Sequence, residues 1–498
     1  MGKRGVGRRA VMGGLAAAAS LSGVSVAAAA RGRPARPNIL LLLADDWSWQ
    51  PEDLADRFEL ALPTFMRLRR QGVFFRNAFS ASPSCTASRG ALLTGQYPFR
   101  LAEGASLASI LPRRFEVYPD HLEAAGYHVG YARKGWAPGQ LAPGRRTRNP
   151  AGTSYKDFET FLAQKPAEAP FCFWFGSNDP HRPYVKGAGL AAGISPDKVT
   201  VPPYLADTPE VRGDMVDYRF EVERFDRESG EILARLERDG LLANTLVVMT
   251  GDNGWPFPRG KATLYDAGWH VPLAVSWGAA GLKGGTTSDA MISLADLGPT
   301  FVEAAGAAPL KDATALSLLP TLTDGRPWPR DHVIGCMERH MDGHTRPGDG
   351  YPMRALRTAS HLYIRNFHPE RWPAGDPSAR KVSREDLETR LFSGFADIDA
   401  GPAKADMVIR QDEPAVKPKF ELATGRRPPH ELYDLRADPY VLHDLARDPA
   451  HAALAKRMDA RLAEILRAAR DPRVIDGGAV FDDYPSYNDP GFERPPEL

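Results

Sequence analysis

A continuous apolar run, Ile39-Leu-Leu-Leu-Leu-Ala44, opens behind Pro37-Asn38 and stops at two acids, Asp45 and Asp46. Such a run, with no polar alternation, predicts a strand buried on both faces, as in a parallel sheet. Residues 63–72 carry an amphipathic helical pattern closed by glycine, and the apolar-rich segment 73–79 predicts the next strand. A further helix is expected to start at Cys85, with Ser84 as its cap and Gly90-Ala-Leu-Leu continuing it. The pattern then gives a helix over 120–126, strands over 127–132 and 171–175, a long helix over about 214–239 and a strand over 244–250. Alternation of this kind predicts a doubly wound, mostly parallel α/β sheet flanked by helices.

Chain character changes after about residue 335, where proline, arginine and aromatics become frequent. Residues 336–498 are expected to form a smaller α+β unit, a short antiparallel sheet with one helix over about 451–470. Residues 31–335 would then be the larger domain. Residues 1–30 read as an export signal. Lys3, Arg4, Arg8 and Arg9 precede an Ala/Gly/Ser-rich run that ends in Ala28-Ala-Ala30, a small-residue cleavage pattern. Arg8-Arg9 resembles the twin-arginine type, so the mature chain is expected outside the cytoplasm, periplasmic or extracellular. No later segment is long and apolar enough to span a bilayer.

Composition narrows the chemistry. The 498 residues are 43% hydrophobic and 25% charged, with a net charge of +1, so neither nucleic acid nor a membrane surface is favoured by global charge. Any anion preference must be local. Three cysteines, Cys85, Cys172 and Cys336, do not make a disulfide framework.

Chemistry-bearing residues cluster after the apolar runs, where open α/β sheets bind ligands. Asp45 and Asp46 follow one predicted strand; Asp252 and Asn253 follow another. Three carboxylates and an amide oxygen form a hard-oxygen set suited to Ca²⁺ or Mg²⁺, and no His/Cys cluster has zinc spacing. Arg89 lies one helical turn from Cys85, and a helix N-terminus beside an arginine favours a bound anion.

Cys85-Thr-Ala-Ser-Arg89 followed by Leu93-Thr-Gly95 resembles the signature of the formylglycine-dependent sulfatases, a branch of the alkaline-phosphatase superfamily. Similarity extends over most of residues 38–310 and parts of the C-terminal region. The resemblance implies that Cys85 is oxidised to formylglycine by a formylglycine-generating enzyme. It also implies one Ca²⁺ per chain held by Asp45, Asp46, Asp252 and Asn253, with the residue at 85 completing the shell. Arg89, Lys134, His181 and Lys261 match the family's catalytic cations. Fixed cations there would neutralise sulfo oxygens, and His181 would protonate the leaving atom. The hydrated aldehyde would attack sulfur with one hydroxyl and expel sulfate with the other. Many sulfatases carry histidine where this chain has Trp136, which cannot exchange a proton.

Asp179-Pro-His-Arg-Pro183, Pro256-Phe-Pro-Arg-Gly-Lys261, Glu338-Arg-His340 and residues 351–372 resemble the heparan N-sulfatase (sulfamidase) branch. This implies a sulfated amino-sugar substrate of glycosaminoglycan type, with Glu338, Arg339 and His340 shaping its pocket. Arg354, Arg357, Arg365 and Arg371 are expected to place positive charge at the rim. Two alternatives stay open: a formylglycine phosphonate or phosphodiester hydrolase on the same site, and a non-catalytic glycan-binding protein with unconverted Cys85.

Overall fold

The computed structural model describes residues 36–49, 62–377 and 382–487; the signal reading at 1–30 lies outside them. The strands in chain order are β1 (Asn38–Ala44), β2 (Val73–Phe79), β3 (Ser109–Ile110), β4 (His128–Arg133), β5 (Gly139–Gln140), β6 (Thr153–Tyr155) and β7 (Phe171–Gly176). They continue with β8 (Thr245–Gly251), β9 (His270–Ser276), β10 (Thr286–Ser293), β11 (His332–Met337), β12 (Met353–Thr358), β13 (His361–Asn366) and β14 (His430–Asp434).

Eight strands form the main sheet in the order β10-β2-β9-β8-β1-β7-β4-β6. All neighbours run parallel except β9, which is antiparallel to both β2 and β8. β1 lies in the middle, and its alternation splits the core in two. Leu40, Leu42 and Ala44 pack with Phe65 and Leu68 of the Pro63–Gln71 helix and with Val222 and Phe225 of the Pro209–Arg238 helix. Ile39, Leu41 and Leu43 face the other way, toward Leu92 and Leu93 of the Cys85–Thr94 helix and Phe301 of the Leu297–Ala305 helix. Both faces are therefore covered, which is why the run in β1 has no polar positions.

The long helix starts at Pro209, earlier than its apolar pattern suggests, because Thr208 Oγ1 accepts from the Val211 amide and proline is tolerated in the first turn. Ser84 does occupy the N-cap position of the Cys85–Thr94 helix, but its hydroxyl does not cap it. It bonds His340 Nδ1 at 3.0 Å instead.

β11, β12, β13 and β14 form a separate antiparallel sheet. One face packs Ile334, Cys336, Leu356 and Tyr363 on Met458, Leu462 and Leu466 of the Ala452–Ala468 helix. The other packs Val333, Met353 and Ile364 on Phe79, Leu264 and Trp269 of the large unit. The connection from β13 to β14 also carries three short helices, Arg384–Thr389, Pro402–Ile409 and Lys417–Thr424. These were not expected from the sequence, since each is too short to show a helical period.

Candidate active site

The site lies where β1, β4, β7 and β8 end. Sheet hydrogen bonding carries on into the loops that follow: the Asp45 amide donates to the Asp179 carbonyl, Asp252 to Ala44, and Lys134 to Gly176. Four segments distant in sequence are thus held in register beside one another. Left-handed backbone recurs at non-glycine residues here, at Asp46 (φ 71°), Arg133 (φ 61°), Arg259 (φ 66°) and Ala262 (φ 63°). Each costs on the order of 1 kcal/mol or more, and such strain gathers at functional sites.

Asp45, Asp46, Cys85 and Asp252 converge, with one ligand-type atom from each lying within 4.8 Å of the others. Cys85 Sγ is 3.5 Å from Asp45 Oδ1 and 3.9 Å from Asp46 Oδ1. The Asp46 amide donates to Asp252 Oδ1 at 3.0 Å, and Asn253 Nδ2 donates to Asp46 Oδ1 at 2.7 Å. Asn253 Oδ1 is buried with no hydrogen-bond partner among the described residues. Three buried carboxylates and an orphaned amide oxygen are the donor set a hard cation takes, so the cluster fits a metal ion.

Cations interleave with these acids. Arg89 is fully buried; its Nε meets Asp252 Oδ2 at 2.7 Å and its Nη2 meets Asp45 Oδ1 at 3.3 Å. Its Nη1 donates to the carbonyls of Lys134 and Gly135 at 2.9 and 2.8 Å. Lys134 Nζ reaches Asp45 Oδ2 at 2.5 Å. Lys261 Nζ bridges Asp46 Oδ2 at 2.8 Å and Asp399 Oδ2 at 3.2 Å.

Burial pushes the Asp45 carboxyl up, but Lys134, His181, Arg89 and Lys261 outweigh it and hold it well below the usual range. Asp252 goes the other way. Burial, aided by Asp45 and Asp46, exceeds the pull of Arg89 and Lys134 and lifts it to about 6. Burial also raises the Cys85 thiol well above its ordinary value, against Lys134 and Lys261. Unmodified Cys85 is therefore a protonated thiol and a poor nucleophile.

His181 is the most open of these groups, with 36% of its side chain exposed, and its Nε2 lies 3.8 Å from Asp46 Oδ2. Its Nδ1 is 2.5 Å from the Arg182 carbonyl. A carbonyl only accepts, so Nδ1 carries hydrogen and Nε2 is the nitrogen that can exchange a proton. Arg182 itself forms a two-pronged buried pair with Asp214, both contacts at 2.7 Å.

Of the three residues expected to shape the pocket, His340 alone abuts this cluster. Burial, then Lys261, pushes its imidazole down to about 3, so it is neutral. Glu338 instead pairs with Arg354 at 2.6 Å and Arg473 at 2.8 Å in a buried network with Asp471. Arg339 donates to the carbonyls of Gly348, Tyr484 and Pro485. The arginine rim does not form. Arg354 is fully buried, Arg357 pairs with Asp266 at 2.9 Å, and Arg371 with Asp349 at 3.2 Å, while Arg365 lies 3.9 Å from Asp459. Acids brought from other segments of the chain claim all four. Trp136 is buried under the Cys85 helix, its Nε1 donating to the Thr86 carbonyl at 3.2 Å.

Asp399 was not foreseen. It comes from the connection between β13 and β14, follows no strand, and sits in Phe395-Ala-Asp-Ile-Asp-Ala-Gly401, which carries no sequence signal for a site. Burial raises its carboxyl, but Lys261, His181, His340 and Arg182 outweigh it, so it stays ionised.

Comparison with known proteins identifies the family. A family model described as Sulfatase matches residues 37–142 and 147–307, more than half of the chain, and the chain belongs to that family. It is 28% identical to human N-sulphoglucosamine sulphohydrolase over 390 residues, covering 67% of this chain and 74% of that one. It is 25% identical to an ulvan-active sulfatase of Formosa agariphila over 386 residues, covering 68% of this chain. The match spans 62% of the length of the Formosa protein. A solved structure described as a complex with its substrate, D-glucosamine-2-N,6-O-disulfate, superposes with a TM-score of 0.59 at 17% identity, over 88% of this chain and 99% of that one. At that identity the likeness is one of fold.

Proposed function

We propose that this member of the sulfatase family hydrolyses the sulfo group of a sulfated amino sugar of glycosaminoglycan type. The observation that carries the reading is the convergence of Asp45, Asp46, Asp252 and Asn253 on Cys85, with Arg89, Lys134, His181 and Lys261 beside them. Asp45, Asp46, Asp252 and Asn253 would hold one Ca²⁺, which supplies Lewis-acid stabilisation of negative charge when bound. Formylglycine made from Cys85 would supply a hydrated-aldehyde nucleophile.

The remaining steps belong to the chain's own side chains. Lys134 and Lys261 are held as cations in spite of burial, Lys134 chiefly by Asp45, Lys261 by Asp399 and Asp46. They would bind sulfo oxygens and offset the charge that builds as the bond to sulfur breaks. Arg89 orients Asp45 and Asp252. His181, with Nδ1 committed to a carbonyl, would deliver a proton from Nε2 to the leaving atom. Neutral His340, fixed through Nδ1 to Ser84, would present its other nitrogen to the substrate. Leu107, Ala108, Met341 and Ala396, packed about Cys85, would exclude water around the reacting group.

The organisation that goes with this reading is an export signal over 1–30, a catalytic unit over 31–335 and a smaller covering unit over 336–498. Conversion by a formylglycine-generating enzyme would precede export by a twin-arginine route. No helix among the described residues is long and apolar enough to cross a membrane.

The test is sulfate release from desalted mono- and disaccharides carrying N-, 2-O-, 3-O- or 6-O-sulfate, with an aryl sulfate and an aryl phosphodiester alongside. Cys85→Ala is the control, and mass spectrometry of the peptide around residue 85 reports conversion. Sulfate release from at least one sugar, lost in Cys85→Ala, is expected. Faster turnover of the phosphodiester than of every sulfated compound would overturn the reading.

A further inference from the structure

Asp399 enters the site from the smaller unit, and its surroundings fix where it points. The Gly401 amide donates to the Leu387 carbonyl, the Ala403 amide to Asp214 Oδ2, and Lys404 Nζ to the Ile398 carbonyl. Asp214 also holds Arg182, so the segment carrying Asp399 is tied to the residue next to His181. A Cβ at Gly401 would lie 2.4 Å from Arg182 Nη1, so any larger residue there would have to displace a guanidinium already paired with Asp214.

The result is a second carboxylate at the histidine. One oxygen each from Asp46 and Asp399 and a ring nitrogen of His181 lie within 4.8 Å of one another. Asp399 Oδ2 is taken by Lys261, while Oδ1 makes no hydrogen bond among the described residues. An ionised acceptor with a free oxygen therefore sits beside the proton donor for the leaving atom.

The two kinds of leaving atom respond to it in opposite ways. The bridging oxygen of a sulfate ester has no hydrogen and would turn lone pairs toward the carboxylate. The nitrogen of a sulfamate carries N–H and becomes an ammonium on release. In that hydrolysis the oxygen of water bonds to sulfur and the S–N bond breaks with its electron pair left on nitrogen. Both water protons end on that nitrogen, giving an ammonium and a sulfate dianion. A carboxylate next to the nitrogen accepts its N–H and stabilises the charge it acquires.

We propose that Asp399 is a specificity-determining residue that accepts a hydrogen bond from the leaving nitrogen of an N-sulfated amino sugar. The proposal rests on the sulfatase reading above. Its test compares the converted enzyme with Asp399→Asn and Asp399→Glu on two substrates, N-sulfoglucosamine and glucosamine 6-sulfate. In parallel, calorimetry measures D-glucosamine and N-acetylglucosamine binding to unconverted protein. Asp399→Asn is expected to lower kcat/KM for the N-sulfated sugar about 100-fold and for the 6-sulfate less than about threefold. It should weaken D-glucosamine about tenfold and leave N-acetylglucosamine unchanged. Asp399→Glu keeps an acceptor and should recover most of the N-over-O preference; it carries the comparison if Asp399→Asn fails to fold. Equal losses on both substrates would overturn the proposal and reduce Asp399 to a partner for Lys261. Parent turnover of the 6-sulfate alone would overturn it while keeping the sulfatase reading. Release from no sulfated compound would remove the sulfatase reading, and the binding arm would still decide whether Asp399 recognises an ammonium.

Discussion

Replacing Arg89 by methionine is the sharpest probe of how the acidic cluster is held. Methionine is similar in length and fills much of the same volume, so packing loss is minor. What disappears is one buried charge and four hydrogen-bonded contacts: to Asp252, to Asp45, and to the carbonyls of Lys134 and Gly135. Asp45 keeps Lys134 at 2.5 Å, but no other cation makes an ion pair with Asp252 among the described residues. Breaking a buried pair by removing one partner costs about 3–5 kcal/mol. In metal-free protein the unfolding equilibrium should therefore shift at least a hundredfold. The loss should shrink at low pH, because Asp252, already lifted to about 6, protonates more readily without the guanidinium and no longer needs a partner. The assay is urea unfolding at pH 5 and pH 8, on chelator-dialysed protein with and without added Ca²⁺. Added Ca²⁺ should restore part of the stability by supplying the missing charge. A loss below about 1 kcal/mol in metal-free protein, or one equal at both pH values, would refute this account of Arg89 as the counter-charge that holds Asp252.

Ca²⁺ affinity should fall as pH drops through about 6, because Asp252 must lose its proton to act as a ligand; titration calorimetry from pH 5 to 8 checks this. The same group has the opposite sign for metal-free stability. Its raised folded pKa contributes stability that is full below about pH 4 and is lost as pH rises through about 6, which urea midpoints would show for Asp252→Asn against the parent. Gly401→Ala should cost about 1–3 kcal/mol by overpacking Arg182 and should move Asp399, read as a urea midpoint shift and a lower N-over-O preference. Replacing Arg8 and Arg9 by lysine should leave the protein in the cytoplasm; unchanged export in a cell-fractionation assay would reject the twin-arginine route.

Much of the fold was legible because its strands are unusually plain. β1 and β7 carry unbroken apolar runs ended by Asp45 and Ser177, and β8 carries a shorter one over 246–249 that leads through Thr250 and Gly251 to Asp252; both the strands and the site after them follow from that pattern. The position of β9, antiparallel between β2 and β8, was not legible, since its sequence is apolar in the same way and periodicity does not encode direction. The site divided along a similar line. Asp45, Cys85, Lys134, His181, Asp252 and Lys261 lie in motifs or after strands. Asp399 depends on a connection whose short helices leave no period and whose anchor is Arg182–Asp214, a pairing across 32 residues. Arg354, Arg357 and Arg371 look in sequence like a basic surface, yet each has an acid supplied by a distant segment. Charge counted along a chain does not tell which charges are already matched.

That matching constrains the substrate. Asp45, Asp46, Asp252 and Asp399 contribute four formal negative charges when ionised, and Arg89, Lys134 and Lys261 contribute three positive ones. Left alone, the cluster is short of positive charge, and Asp252 relieves the shortage by holding its proton up to about pH 6. A divalent cation among these carboxylates reverses the sign to a single positive excess. A sulfate ester or sulfamate brings one negative charge and closes that balance. A phosphate monoester dianion brings two and leaves an unmatched charge in a buried site, where such a mismatch is costly. Asp399 is the charge that sets this balance: without it the excess would be two, and a dianion would be the better fit. With a divalent cation bound, Asp399, which lies within 4.8 Å of His181 and Asp46, would therefore also bias the site toward singly charged substrates.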